Sequence, residues 1–344
     1  MRVGLVGCGR IAHEAHVPAY TAAGITVAAV CDLIPDRAAS AARATGAAVA
    51  TTAQELAQRD DVDVIDVATP PSGRPDLLRE LYRTGKPILS QKPLAYDLPT
   101  ATALVQEAED LGVALAVNHN ARWAPAHCAI YRQMIDGALG QVYAVQHHNR
   151  FNEDVDTWYT RHPDYLFLDH GIHYVDLARV LTGRTPTAVA AVAGTRPGQR
   201  PAGPVIYSVN LRYADDEAPH VVLTFVNTAP APAGFDFRLI VDGVDATAQA
   251  TLFAADLLPA DGSPPRTLDV LGEWTPDAFS GPLLSLTRHL TTGDPLPHSG
   301  RDHLASLAVA VAAAQSAKQA GAWTAVDHPP TEVTGSAHLA AYLP

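Results

Sequence analysis

Two short stretches carry side chains that could move a proton. The first is Gln91-Lys92-Pro93, placed just after the apolar run Pro87 to Ser90, which reads as a strand. The chain has 24 lysines and arginines, and only Lys86, Lys92 and Lys318 are lysine, so arginine is its default cation. A lysine ammonium is a compact, titratable donor that can serve a reacting hydroxyl oxygen. An exposed turn lysine would be spelled the same way. The second stretch is Asp169-His170-Gly171-Ile172-His173-Tyr174-Val175-Asp176. Asp169 and His173 stand four apart, as neighbours on one helical face do. Imidazole is the usual base for taking an alcohol proton, and a carboxylate beside it can orient the ring. Two plainer readings stay open: Asp169 as a helix N-cap, and His173 as a hydrogen-bonded core residue. Asp176 is expected to have a structural part.

A third stretch could hold a cofactor. Val3 to Val6 is a short buried strand, and Gly7-Cys8-Gly9-Arg10-Ile11-Ala12 follows it as G-x-G-x-x-A before helical spacing begins. A strand that turns at two glycines into a helix lets free backbone N–H groups meet a pyrophosphate. Gly7 would serve the turn, Gly9 the close approach and Ala12 the packing of helix on strand. Asp32 lies twenty positions beyond Ala12, at the end of the strand Thr26 to Cys31. A carboxylate there accepts from a ribose diol and repels a 2′-phosphate, which favours NAD. Arg37, close by in sequence, keeps NADP as the less favoured option.

These residues need a frame. Strands expected at Val62 to Ala68, Pro87 to Ser90 and Val113 to Val117 alternate with helices at Arg10 to Ala22, Pro35 to Ala44, Asp76 to Tyr82 and Pro99 to Leu111. Pro18 should bend the first of these helices, and Thr52 with Glu55 spells a capping box. Such alternation describes a doubly wound parallel sheet, whose ligand sits at the carboxyl ends of the strands. Gly7, Asp32, Thr69, Gln91 and Asn118 all fall at such ends. After Asn120 the texture changes to strands joined by Pro/Gly loops, from Val142 to Asn149 through Ala246 to Phe253, which suggests a mainly antiparallel sheet. Helices are expected at His170 to Leu181 and Arg301 to Ala320, and a last strand at Trp323 to Val326. The expected division is therefore a Rossmann domain over 1–119 and an α+β domain over 120–344, with helix 301–320 packing back.

Composition sets limits. At 344 residues two domains are natural. A net charge of −12 with no basic stripe argues against nucleic acid as partner. Cys8, Cys31 and Cys128 are too scattered for a disulfide framework. The 15 histidines show no ligand spacing, and no metal is expected. The first strand starts at Arg2 and no apolar run reaches about eighteen residues, so a cytoplasmic protein with no membrane partner is expected.

The whole chain resembles the Gfo/Idh/MocA oxidoreductase family, named for glucose–fructose oxidoreductase and inositol dehydrogenase. The matching residues are the G-x-G-x-x-A, His16-Val17-Pro18-Ala19, Cys31-Asp32, Thr69-Pro70, Gly85-Lys86-Pro87 and Lys92-Pro93. Further on come Asn120-Ala121-Arg122-Trp123-Ala124-Pro125, Gly137-Ala138-Leu139-Gly140, the spacing Asp169, His173, Asp176, and Ser299-Gly300-Arg301-Asp302. The resemblance implies an NAD-dependent dehydrogenase of a sugar, cyclitol or related polyol. Lys92 would polarise the substrate, with Asp169 and His173 orienting it and moving the proton. Gly7, Gly9, Arg10, Ile11, Asp32, Thr69, Pro70 and Gln91 would hold the cofactor. Arg122, Trp158, Tyr159 and His170 are the expected substrate contacts. A homodimer or homotetramer through the open sheet is implied. Two other activities stay open: an NAD-requiring glycoside hydrolase that oxidises transiently and eliminates, and a non-catalytic dinucleotide sensor. Three departures from the family's habit stand out. Gln91 stands where glutamate is usual, Arg74 stands for a histidine after the Thr-Pro turn, and Asp164-Tyr165 replace paired glycines.

Overall fold

The computed structural model describes residues 1–214, 219–230, 236–328 and 333. The chain forms two compact units. Among the described residues one gathers Met1–Trp123 with Glu273–Leu304, the other Ala124–Gly272 with the described chain from Ala305 to His328.

In the first unit six parallel strands, β1 (Arg2–Val6), β2 (Thr26–Cys31), β3 (Ala48–Val49), β4 (Val64–Val67), β5 (Ile88–Ser90) and β6 (Leu115–Val117), lie in the order β3-β2-β1-β4-β5-β6. The order reverses direction between β1 and β4, where an α/β sheet opens its crevice. The central strands are apolar on both faces, as strands covered on both sides must be. Local signals place the helices. Pro35 opens one that closes on Gly46 at φ 75°, and Asp97 accepts the Thr100 N–H (2.8 Å) to start Leu98–Asp110. The expected helix Arg10 to Ala22 is two pieces: a π turn at Ala12–His16, then an α-helix at Val17–Ala22 with Pro18 in its first turn. Proline's missing donor therefore falls where a helix start leaves N–H groups unpaired anyway. The Thr52 cap forms, with the Glu55 N–H donating to Thr52 Oγ1 at 3.0 Å. The Glu55 carboxylate reaches back one residue further than expected, to Thr51 N–H and hydroxyl.

The first unit takes in more than the segment up to residue 119. Residues 273–304 return to the first unit, carrying a helix at Ser280–Thr292 that the sequence reading missed. Phe279, Leu283 and Leu286 join the core formed by Leu5, Ala15 and Tyr20. The segment also pairs with β6. The Val117 N–H donates to the His298 carbonyl (2.8 Å), the His298 Nδ1–H returns to the Val117 carbonyl (2.8 Å), and Ala116 bridges Ser299.

Among its described residues the second unit holds nine strands: β7 (Val142–Arg150), β8 (Ala188–Gly194), β9 (Ile206–Arg212), β10 (His220–Val226), β11 (Asp236–Gly243), β12 (Ala246–Ala250), β13 (Ala255–Pro259), β14 (Arg266–Leu268) and β15 (Thr324–Ala325). Their order is β14-β13-β12-β11-β7-β10-β9-β8-β15. Only β7 and β10 run parallel; every other pair is antiparallel. The expected strand Ala246 to Phe253 stops at Ala250, and β13 and β14 were not foreseen. Alternation is strict at the centre. Val145, His147 and Asn149 of β7 and Val221, Leu223 and Phe225 of β10 face one side and are buried. On the other face Gln146 is exposed and His148, Val222 and Thr224 are only partly covered. The long helix is Gly300–Lys318. Among the described residues no helix is long and apolar enough to cross a membrane.

Candidate active site

The carboxyl edge of the first sheet gathers the expected cofactor residues. Gly7 has φ 96°, and a Cβ there would stand 2.8 Å from the Ala68 carbonyl carbon, so only glycine fits. Its N–H donates to the Cys31 carbonyl (2.8 Å), which ties the turn to β2. A Cβ on Gly9 would meet nothing within 4 Å, which is the open approach a pyrophosphate needs. Asp32 is held at both oxygens: Oδ2 accepts the Cys8 N–H (2.7 Å) and Oδ1 the Ile34 N–H (2.8 Å). Each oxygen keeps a lone pair for a ribose hydroxyl. Burial, with Asp32 adding, pushes the Cys8 thiol up to about 12, so it stays protonated against the Cys31 carbonyl. Arg10 is exposed and pairs with Glu14 (3.2 Å), while Ile11 packs partly against the core. Thr69 lies against Gly7, its buried hydroxyl lacking a hydrogen-bond partner among the described residues; Pro70 is exposed. An open glycine edge, an oriented carboxylate and an orphaned hydroxyl on one sheet edge fit a dinucleotide.

Beside them stands Lys92, half-buried after β5, in a turn held from two sides. Arg74, 1% exposed, donates through its guanidinium to the carbonyls of Gln91, Pro93 and Thr69. Gln91 is 8% exposed and its amide turns inward, where it supports the turn. The Lys92 N–H donates to Gln91 Oε1 (3.3 Å), which puts the amide nitrogen toward His16 Nε2 (2.7 Å). His16 Nε2 must then be an acceptor, and Nδ1 carries the proton it donates to Asp66 Oδ2 (2.6 Å). Tyr20 donates to the same oxygen (2.7 Å), and burial beside Asp66 pushes its phenol well above its usual value. Asp66 and His16 are fully buried. The sequence reading assigned neither a role, although a lone Asp inside the apolar strand β4 was a signal.

The second unit carries the other pair. Asp169 and His170 sit in a π turn at Leu166–Gly171, and His173 in the α-helix Ile172–Thr182 that continues it. π turns inside helices are frequent at functional sites. The N-cap of that α-helix is Gly171, and no side chain caps it, so the capping reading of Asp169 is set aside. Both Asp169 and His173 are half-buried. Asp176 is fully buried and accepts from the Ser306 hydroxyl (2.7 Å), which also takes an Arg179 N–H (2.7 Å); its part is structural. His170 is sandwiched among aromatic rings, 5.0 Å from Phe151 and 5.1 Å from Tyr174. Trp158 is exposed and Tyr159 donates to Glu153 (2.7 Å) in the same unit. Asp164 pairs with Lys318 (2.6 Å), and Tyr165 is buried.

Arg122 is fully buried in the first unit, donating to the Pro297 carbonyl and to Asp302 (2.5 Å), and so fastens the returning segment.

The Gfo/Idh/MocA oxidoreductase family model with an NAD-binding Rossmann fold matches residues 1–119, and the model of its C-terminal domain matches residues 129–249. A myo-inositol dehydrogenase of Streptomyces leeuwenhoekii is 31% identical over 330 residues, covering 92% of this chain and 97% of that protein. The chain belongs to the Gfo/Idh/MocA oxidoreductase family. The inositol 2-dehydrogenase of Rhizobium meliloti strain 1021 is 28% identical over 323 residues, 92% of this chain and 96% of its own length. An oxidoreductase of Agrobacterium radiobacter, crystallised with NAD+, L-tartaric acid and magnesium, shares the fold at TM-score 0.81 and 20% identity, over 97% and 98% of the two chains. Membership makes the chain an oxidoreductase and gives the glycine-edged sheet its nicotinamide dinucleotide.

Proposed function

We propose that the protein transfers a hydride between NAD and a hydroxyl or keto group of a sugar, cyclitol or related polyol. The observation that carries this is the single sheet edge on which the Gly7–Gly9 turn, the doubly held Asp32, Thr69 and Lys92 lie together. Bound nicotinamide supplies the hydride acceptor. Asp32 takes the ribose diol and disfavours a 2′-phosphate. Lys92 donates to the substrate oxygen and stabilises its negative charge as the alkoxide develops. His173 takes the hydroxyl proton, with Asp169 orienting the substrate or the imidazole. Trp158, Tyr159 and His170 are assigned to substrate. Relatives named for inositol support the cyclitol class. The partly covered face of the nine-stranded sheet, with Val222 and Thr224 beside Gln146 and His148, is assigned to self-association as a dimer or tetramer, which sedimentation velocity tests.

The deciding experiment offers a panel of cyclitols, sugars and aryl glycosides with NAD and with NADP, following reduced nicotinamide and released aglycone together. Reduced cofactor from a cyclitol or sugar, with NAD preferred, is expected. Aglycone release without net reduction would instead establish the eliminating hydrolase, and cofactor binding with no turnover a sensor.

A further inference from the structure

We propose that Arg74 is a positioning residue for Lys92, acting through the backbone on either side of it. This rests on the dehydrogenase reading above. Its guanidinium is 1% exposed and donates to the carbonyls of Gln91 and Pro93, the residues immediately before and after Lys92. It also donates to the Thr69 carbonyl, just past β4. One rigid, planar cation thus fixes the peptide plane that enters the lysine and the one that follows Pro93, and joins them to the turn that lies against Gly7. Lysine's three donors leave from one nitrogen and histidine has two N–H groups at most on opposite sides of a ring, so neither reproduces the two separate nitrogens with which Arg74 spans these carbonyls.

The side chain of Gln91 is secured from elsewhere. Its amide nitrogen donates to His16 Nε2 (2.7 Å), whose Nδ1–H is held by Asp66 (2.6 Å). Gln91 is therefore gripped at its carbonyl by Arg74 and at its amide by His16, and Lys92 follows a residue with no freedom left. Further on, the Leu94 N–H donates to His303 Nε2 (3.2 Å), which anchors the exit of the turn. A flexible side chain whose Cα is held this firmly needs little reorganisation to meet a developing oxyanion, and a misplacement of about 1 Å can cost ~100-fold in rate. Arginine at the position where the family often carries histidine becomes intelligible as a second way of fastening this turn.

The test compares Arg74→Lys and Arg74→Met with the parent, using the most active polyol of the panel and NAD. Arg74→Lys is expected to lower kcat at least about tenfold, with KM and the NAD dissociation constant each changed less than about threefold. Arg74→Met, lacking all donors, is expected to lose about 100-fold. Hydrogen exchange on the cofactor-free protein gives a readout independent of turnover: the amides of Lys92 and Leu94 should exchange faster in Arg74→Lys, while those of Val30 and Cys31 in β2 should not. If Arg74→Met does not fold, Arg74→Lys carries both measurements. Turnover of Arg74→Lys within threefold of the parent, or unchanged exchange at Lys92 and Leu94, overturns the inference. Should the parent oxidise or reduce nothing in the panel, it is the dehydrogenase reading that fails, and the exchange measurement then decides Arg74 alone.

Discussion

Acid should loosen the first unit through one histidine. His298 is fully buried, its Nδ1–H donating to the Val117 carbonyl (2.8 Å), its ring edge-on to Trp123 at 5.1 Å. Burial pushes its pKa down to about 3; Arg122 and His119 add to this, and the Val117 carbonyl and Asp302 oppose it. In the unfolded chain the same imidazole titrates near about 6.5. Below that value the unfolded state binds a proton that the folded state refuses, so stability falls as pH falls, by about 1.4 kcal/mol per unit. The loss continues until the folded value is reached. At about pH 5 this one group costs about 2 kcal/mol. His298→Asn keeps an N–H aimed at the Val117 carbonyl and cannot titrate. Urea midpoints read by tryptophan fluorescence from about pH 7.5 to 5 should show the variant weaker at neutral pH but losing about 2 kcal/mol less on acidification. Parallel curves for the two proteins would refute the reasoning.

Four further outcomes are expected. Lys92→Met should cut kcat/KM by about 100- to 1000-fold while NAD still binds, measured by steady-state kinetics alongside calorimetry. Asp32→Ser should weaken NAD about tenfold and narrow the preference over NADP, since the ribose acceptor and the repulsion of a 2′-phosphate go together. Gly7→Ala puts a methyl 2.8 Å from the Ala68 carbonyl carbon at φ 96°; a loss of ~2 kcal/mol or more and of NAD binding should appear in thermal melts with and without cofactor. Arg122→Met should destabilise by about 3–5 kcal/mol because the buried Arg122–Asp302 pair is broken, with KM for the polyol unchanged in whatever protein folds.

Much of the fold could be read from the letters because the signals were local. Most of the parallel strands are apolar runs closed by a glycine, proline or polar residue, so Gly7, Asp32, Thr69 and Gln91 could be placed at strand ends of one sheet from the letters alone. What escaped was long-range. Nothing near residues 273–304 says that Phe279 will pack 5.3 Å from His16, or that His298 will pair with β6. The buried partners of Arg122 and Gln91 were out of reach for a related reason. A charged or amide side chain beside a motif looks available until its distant acceptors, Asp302 for one and His16 for the other, are known. Arg74 looked like a mere departure from the family pattern, and only its three carbonyl partners give it a role.

The late return of residues 273–304 bears on how the protein is made. A ribosome releases β6 long before the strip that pairs with it, since Val117 and His298 lie 181 positions apart. Until then the nascent chain carries a bare sheet margin and an unroofed apolar hollow around Tyr20, the kind of surface that recruits chaperones or sticks to its neighbours. Any gene fragment cut after the first family match, at residue 119, would freeze the protein in that unfinished condition.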